Sequence, residues 1–313
     1  MVEAVSLETY TACELCPHRC RVDRTRGEKG FCGAGAVLRI HDAMPHYGEE
    51  EVLVGEGGSG AIFFSHCTLR CVYCQTAEMS WKGEGTDTTV ERLADLMLEL
   101  QRDGCHNINL ITPTQFLPHV VQGIRTARAR GLAVPIVYNT SGYERVPVLR
   151  DLEGWVDIYL ADLKYVSPSV AQRLSGVRDY PEAACRALLE MHSQVGDLVV
   201  DESGLARRGL LIRHLVLPGF EEETRAVLRW IASHLPAHTH VNLMGHFRPC
   251  HQARKHPPLN RPLTEDEYRA AQQAAREAGL TRLDTTHERL YPLVWARQEA
   301  PKEEEPPLQA GNP

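Results

Sequence analysis

The chain has 313 residues, enough for one large α/β domain with small additions, and 43% of them are hydrophobic, enough for a sizeable core. A formal charge of −7 lacks the basic signature of non-specific nucleic-acid binding, so nucleic acid is not indicated as a partner. The opening MVEAVSLETYTACELC has neither the basic start nor the apolar core of a secretory signal, and no apolar run is long enough to span a bilayer. The reading is a cytoplasmic protein with no membrane role. Disulfides are disfavoured there, so ten cysteines, seven of them in two tight groups within the first 74 residues, need another account. Of the scattered three, Cys105 and Cys185 suit ordinary core packing.

Residues 1–57 read as a loop-rich, cysteine-rich N-terminal segment that ends in the glycine-rich joint GEGGSG. Cys13, Cys16, Cys20 and Cys32 follow C-x2-C-x3-C-x11-C, four soft ligands in twenty residues. Such a set suits a closed zinc site, an auxiliary iron–sulfur cluster, or no metal at all. The interleaved RCRVDRTRGEKG is a basic patch, which suits an acidic partner or nucleic acid but is more often a solvated face.

Residues 58–297 alternate strand-like and helix-like segments. The strand candidates are AIFFS (61–65), NINLIT (107–112), VPIVYNT (134–140), VDIYLADL (156–163), LLIRHLVL (210–217) and HVNLMG (240–245). Each is short and partly β-branched or aromatic, as buried parallel strands are. Between them, Val90, Leu93, Leu96, Met97 and Leu100 share one helical face, with Thr88 and Glu91 as an expected capping box and Gly104 as the stop. Ser167–Pro168 opens a further helix, and Thr264 with Glu267 forms a second capping box before a stop at Gly279. Residues 298–313 are charged and proline-rich, the composition of a disordered tail. Strand–helix alternation implies an α/β fold with a parallel sheet, as a partial or complete (β/α) barrel or, as the rival, a doubly wound sheet. Either way function belongs at the carboxyl ends of the strands.

The first strand candidate runs straight into SHCTLRCVYCQ, where Cys67, Cys71 and Cys74 share one loop. Soft thiolates at this spacing suit an iron–sulfur cluster or zinc, but structural zinc takes four protein ligands and the next cysteine is thirty-one residues away. Three thiolates on a cubane leave one iron open to a small ligand.

C-x3-C-x2-C with Tyr73 before the last cysteine resembles the radical S-adenosylmethionine (SAM) superfamily, over about residues 58–250. The resemblance implies a barrel with a [4Fe–4S] cluster on the loop after the first strand, held by Cys67, Cys71 and Cys74. It implies SAM chelated to the open iron and cleaved reductively to a 5′-deoxyadenosyl radical that abstracts hydrogen from a substrate. It also implies an external one-electron donor, a flavodoxin or ferredoxin. Within the family, VYNTSGY, LADLKY and LMGHFRP resemble SAM-contacting segments of glycyl-radical activases. That likeness assigns Asn139, Ser141, Asp162, Lys164 and His246 to SAM. It favours a protein or peptide substrate and an activating-enzyme-like oxidoreductase. One departure stands out: where activases carry a G-G-E-P-like stretch for the SAM amino group, this chain reads NINLITPTQF. Thr112, Thr114 or Gln115 is then the neutral acceptor, with Thr114 in the expected cofactor set, and a neutral acceptor is weaker than a carboxylate for an ammonium. The pattern as a whole is most like pyruvate formate-lyase activating enzyme homologues of unassigned substrate. The alternative is a non-enzymatic iron–sulfur or zinc protein, an electron carrier or an interaction module.

Overall fold

A computed structural model describes residues 6–284; the expected tail at 298–313 lies outside them. Among the described residues nine strands form one open sheet. They are β1 (Arg39–His46), β2 (Ser59–Phe64), β3 (Thr86–Asp87), β4 (Ile108–Ile111), β5 (Ile136–Thr140), β6 (Ile158–Asp162), β7 (Val199–Val200), β8 (Ala206–Leu215) and β9 (His240–Met244). The helices are α1 (Glu51–Val54), α2 (Ala77–Ser80), α3 (Val90–Arg102), α4 (Leu117–Ala129), α5 (Val146–Arg150), α6 (Pro168–Ser175), α7 (Tyr180–Val195), α8 (Glu221–His234) and α9 (Glu265–Glu277). No helix among the described residues is long and apolar enough to cross a membrane.

All six strand candidates form, and β2, β4, β5, β6, β8 and β9 pair in parallel in chain order. A doubly wound sheet reverses its strand order part-way. Here there is no reversal, so the wall is that of a barrel left open. The N-terminal segment departs from its expected looseness: β1 adds antiparallel to the free edge of β2, from Ile40↔Phe64 to His46↔Ser59. Its run RIHDAMPH has no alternation strong enough to announce a strand; pairing with β2 decides it.

Alternation sorts the side chains. One face of the sheet packs under the helices, with Leu110, Tyr138, Tyr159, Leu210, Ile212 and Val241 all buried there. On the other face, Leu53 of α1 meets Val137, Ile158, Leu160, Leu198 and Leu211. The chain between β1 and β2 therefore turns under the barrel and closes its amino-terminal end with an apolar plug.

The helix boundaries follow local chemistry with one shift. α3 is capped by Thr89, whose hydroxyl accepts from the Arg92 amide at 3.2 Å. The expected Thr88–Glu91 box is one residue early, because Thr88 pairs its own amide with Leu38. The Thr264–Glu267 box on α9 forms as expected. Ser167 stands at the N-cap of α6 without capping it through its side chain; the Glu223 carboxylate accepts from the Val166 and Ser167 amides instead, at 2.6 and 2.8 Å.

Because Leu53 is wholly buried between strands that cannot close over the gap, Leu53→Ala should cost about 2–5 kcal/mol of stability, read from the denaturant midpoint.

Candidate active site at the strand ends

The loop after β2 is held on several sides before any side-chain chemistry is considered. Arg70 N–H donates to Ser175 C=O (3.1 Å) and Val72 N–H to Leu174 C=O (2.9 Å), pinning the loop to the end of α6. Gln115 Nε2 donates to the carbonyls of Ser65 (2.8 Å) and His66 (3.1 Å). Gln252 N–H closes the far end on Val72 C=O at 2.8 Å. The loop turns at His66, whose φ of +70° is a conformation a non-glycine residue adopts only under such constraint.

This loop rims a cavity of about 350 Å3 at the carboxyl ends of the strands. Cys67, Cys71 and Cys74 line it, together with Thr112, Asn139, Ser141, Asp162, Lys164 and His246. The sheet register explains the convergence: Ile111 pairs with Asn139, and Asp162 with Arg213, on the inward face. Gly142 makes the turn after β5 possible. Its φ is +82°, and a Cβ there would stand 2.3 Å from the Asp162 carbonyl oxygen.

Lys164 Nζ donates to Asp162 Oδ2, with both side chains largely buried. Burial works against the Lys164 charge, but the adjacent carboxylate outweighs it and holds its pKa well above the usual lysine value. The pair thus presents a fixed ammonium to the cavity. Burial pushes the thiols up, Cys67 to about 12 and Cys71 to about 11, and the crowding of neighbouring sulfurs adds to it. Cys71 Sγ is hydrogen-bonded to Ser175 Oγ at 3.1 Å, and Leu69 N–H points at Cys67 Sγ at 3.5 Å.

Thr114 is placed otherwise than expected. It is wholly buried, is not among the residues lining the cavity, and donates its hydroxyl to Glu144 Oε1 at 2.6 Å. Gln115 donates its Nε2 to backbone carbonyls, and although its Oε1 is buried without a hydrogen-bond partner, the residue is not among those lining the cavity. Of the three expected neutral acceptors only Thr112 lines the cavity, because Pro113–Phe116 coils away from the strand end as a helical turn.

Three features were not read from the sequence. The Tyr180 hydroxyl, at the start of α7, lies 2.9 Å from the Ser141 carbonyl and 3.1 Å from that of Asp162 and accepts from Lys164 N–H at 2.9 Å. It ties the ends of β5 and β6 together. Arg213, lining the cavity, is bound by Glu49 and by the fully buried Glu50, and Asn242 Nδ2 donates to Glu50 Oε1 at 2.6 Å. Burial opposes the Arg213 charge, yet the two carboxylates keep its pKa well above the usual arginine value. Glu144 accepts from Thr114, Thr140 and Tyr138 through one oxygen and leaves the other without a partner. For Arg213 and Asn242 a single polar letter in an apolar run was the available signal, and it does not say which residue faces which.

The N-terminal cysteines form a second set. The fold of the loop brings Cys13, Cys16, Cys20 and Cys32 together, with Arg21 N–H donating to Cys13 C=O (2.9 Å) and Arg19 N–H to Cys16 C=O (3.0 Å). The Cys16 thiol is raised by burial and then by the other three sulfurs. The expected solvated basic face is only partly so. Arg24 is buried, its guanidinium 4.2 Å above the Tyr10 ring and donating to Gln115 C=O at 2.7 Å. As the side chains stand, no three His, Cys, Asp or Glu among the described residues are arranged to hold a single metal ion. The cavity set fits a cluster with an open position: three thiols, and around them an ammonium and small polar groups for a chelating ligand.

The sequence profile of the radical SAM superfamily matches residues 61–231. The chain belongs to the radical SAM superfamily. A [4Fe–4S] cluster and SAM are accordingly its cofactors, and the non-enzymatic alternative falls away. The chain is 30% identical over 288 residues to uncharacterized protein MJ0674 of Methanocaldococcus jannaschii, covering 88% of this chain and 78% of that protein. Among solved structures, methylornithine synthase (PylB) matches with a TM-score of 0.48 and 15% identity, over 70% of this chain and 62% of that one. Streptococcus suis SuiB, bound to its precursor peptide SuiA, matches with a TM-score of 0.46 and 13% identity, over 73% of this chain. The chain spans about half the length (49%) of SuiB and under two thirds (62%) of PylB.

Burial raises Glu144 from the ordinary 4.5 to about 7. Below 4.5 both folded and unfolded states hold the proton. Between the two values the unfolded carboxyl ionises first, so stability falls as pH rises and levels off above 7. Glu144→Gln removes this term, so the variant should gain roughly 2–3 kcal/mol on wild type between pH 5 and pH 8, measured by urea unfolding.

Proposed function

We propose that this radical SAM enzyme is of the activating-enzyme type, acting on a protein or peptide, with Cys67, Cys71 and Cys74 as the cluster ligands. What carries the reading is the single cavity that the three thiols share with Asn139, Ser141, Asp162, Lys164 and His246. The chemistry the cluster supplies when bound is one-electron reduction of the SAM sulfonium, which splits off methionine and leaves a 5′-deoxyadenosyl radical to take hydrogen from the substrate.

The chain's own residues bind and orient. Lys164, kept charged by Asp162, pairs with the SAM carboxylate. Thr112, the one of the three expected acceptors that lines the cavity, would offer the amino group a neutral oxygen. Asn139, Ser141 and His246, which line the same cavity, would meet the ribose and adenine side. Ser141 Oγ supports this role, being buried with no hydrogen-bond partner of its own. Tyr180 fixes Ser141 and Lys164 relative to each other through the backbone. The electron comes from an external low-potential carrier, for which a flavodoxin or ferredoxin is proposed.

Reconstituted, dithionite-reduced protein should release 5′-deoxyadenosine from SAM, and Cys71→Ala should release none; equal product from both would end this reading. Lys164→Met should weaken SAM binding about 10- to 100-fold, the effect of losing one charge-assisted hydrogen bond, as measured by equilibrium titration.

A further inference from the structure

The two cysteine loops touch. His18 lies between Cys16 and Cys20, and its Nε2 is 2.9 Å from the carbonyl oxygen of Thr68, which lies between Cys67 and Cys71. Phe31, next to Cys32, accepts through its carbonyl from Arg70 Nη2 at 2.8 Å. Gly33, on the other side of Cys32, packs so closely that a Cβ there would lie 3.4 Å from His66 Nδ1, beside Cys67. His18 also stacks on Phe31 at 3.9 Å between ring centroids, so the contact is filled by π-systems and hydrogen bonds. Every one of these links starts and ends within two residues of a cysteine.

We propose that Cys13, Cys16, Cys20 and Cys32 hold a second iron–sulfur cluster that relays the reducing electron to the cluster at Cys67, Cys71 and Cys74. This rests on the functional reading above, which creates the demand for that electron. One electron enters from an external low-potential one-electron carrier and reduces the N-terminal centre. It then crosses the His18–Thr68 contact, leaving that centre oxidised again, and is spent in breaking the C–S bond of SAM. No proton moves in the relay.

Position and surroundings favour a redox centre over zinc, which has no redox chemistry. The N-terminal loop meets His66, Thr68 and Arg70, which are not among the residues lining the cavity, while Cys67, Leu69 and Cys71 line it, so the two cysteine sets lie on opposite sides of one short stretch of chain. Cys13, Cys20 and Cys32 are half-buried, and Arg19, Arg21, Arg26 and Lys29 are exposed around them. Glu14 pairs with Arg21 at 2.6 Å and Asp23 with Arg26 at 3.9 Å, so the rim is mixed in charge with a small basic excess, which suits a carrier that presents acidic groups. Phe31 N–H points at Cys20 Sγ (3.4 Å) and the buried Arg24 Nη1 at Cys13 Sγ (3.8 Å), contacts of the kind that set cluster potentials.

The test uses full-length protein reconstituted anaerobically with iron and sulfide. Wild type should carry about twice the iron and sulfide of Cys16→Ala/Cys20→Ala, without zinc. When fully reduced it should show two EPR signals, mutually broadened, of which SAM alters one. In the double variant and in His18→Leu, SAM cleavage driven by flavodoxin and its reductase, relative to cleavage driven by dithionite, should fall about ten-fold or more. Stoichiometric zinc with iron equal in wild type and variant, or a single SAM-responsive signal in fully loaded wild type, overturns the proposal. So does an unchanged rate ratio. The metal counts and spectra of wild type do not depend on a variant folding. Failure of the functional reading would look different: wild type with dithionite would release no 5′-deoxyadenosine at all.

Discussion

The parallel register of β4, β5, β6, β8 and β9 is the constraint on which the site depends. It sets Ile111 beside Asn139, Asp162 beside Arg213, and Arg213 beside Asn242, all on the face turned away from the helices. A slip of one residue in any of these strands would send its polar groups under the helices and bring Tyr138, Tyr159 or Ile212 into the cavity. Such a slip would bury polar groups without partners on one face and expose aromatic area on the other, so the register is strongly determined. Site and core are thus two faces of one energetic decision.

Two devices then make the open barrel rigid enough to hold a reactive site. Below, α1 closes the interior with Leu53, while Glu49 and Glu50 rise to meet Arg213 and Asn242. Removing one member of such a buried ionic group leaves the others uncompensated, which is far costlier than the net worth of the group. Above, the Tyr180 hydroxyl bridges the strand ends that carry Ser141 and Lys164. The cluster loop is fastened by backbone hydrogen bonds to α6 and by Gln115, so its three thiols are placed by main chain already tied down.

Much of this was legible beforehand. Loop thiols at C-x3-C-x2-C spacing after an apolar strand carry their chemistry in the sequence, and six strands with polar residues at their carboxyl ends identify the working end of the fold. Less legible were choices made by competition. Thr112 lines the cavity and Thr114 does not, because the chain coils at Pro113 and Glu144 captures the Thr114 hydroxyl. Thr89 and not Thr88 caps α3, because the Thr88 backbone is engaged by Leu38. β1 is a strand because β2 had a free edge to pair.

The sequence by itself determined the cofactor chemistry, the strand–helix order and the residues at the strand ends, since these depend on spacing and on periods of two and 3.6 that neighbours cannot alter. Only the tertiary structure decided that the barrel is open, that α1 plugs it, that Arg213 shares the cavity with Lys164, and that His18 touches Thr68. Those facts depend on residues 50 to 164 positions apart meeting. That proximity is set by packing of whole layers, and no local spacing encodes it.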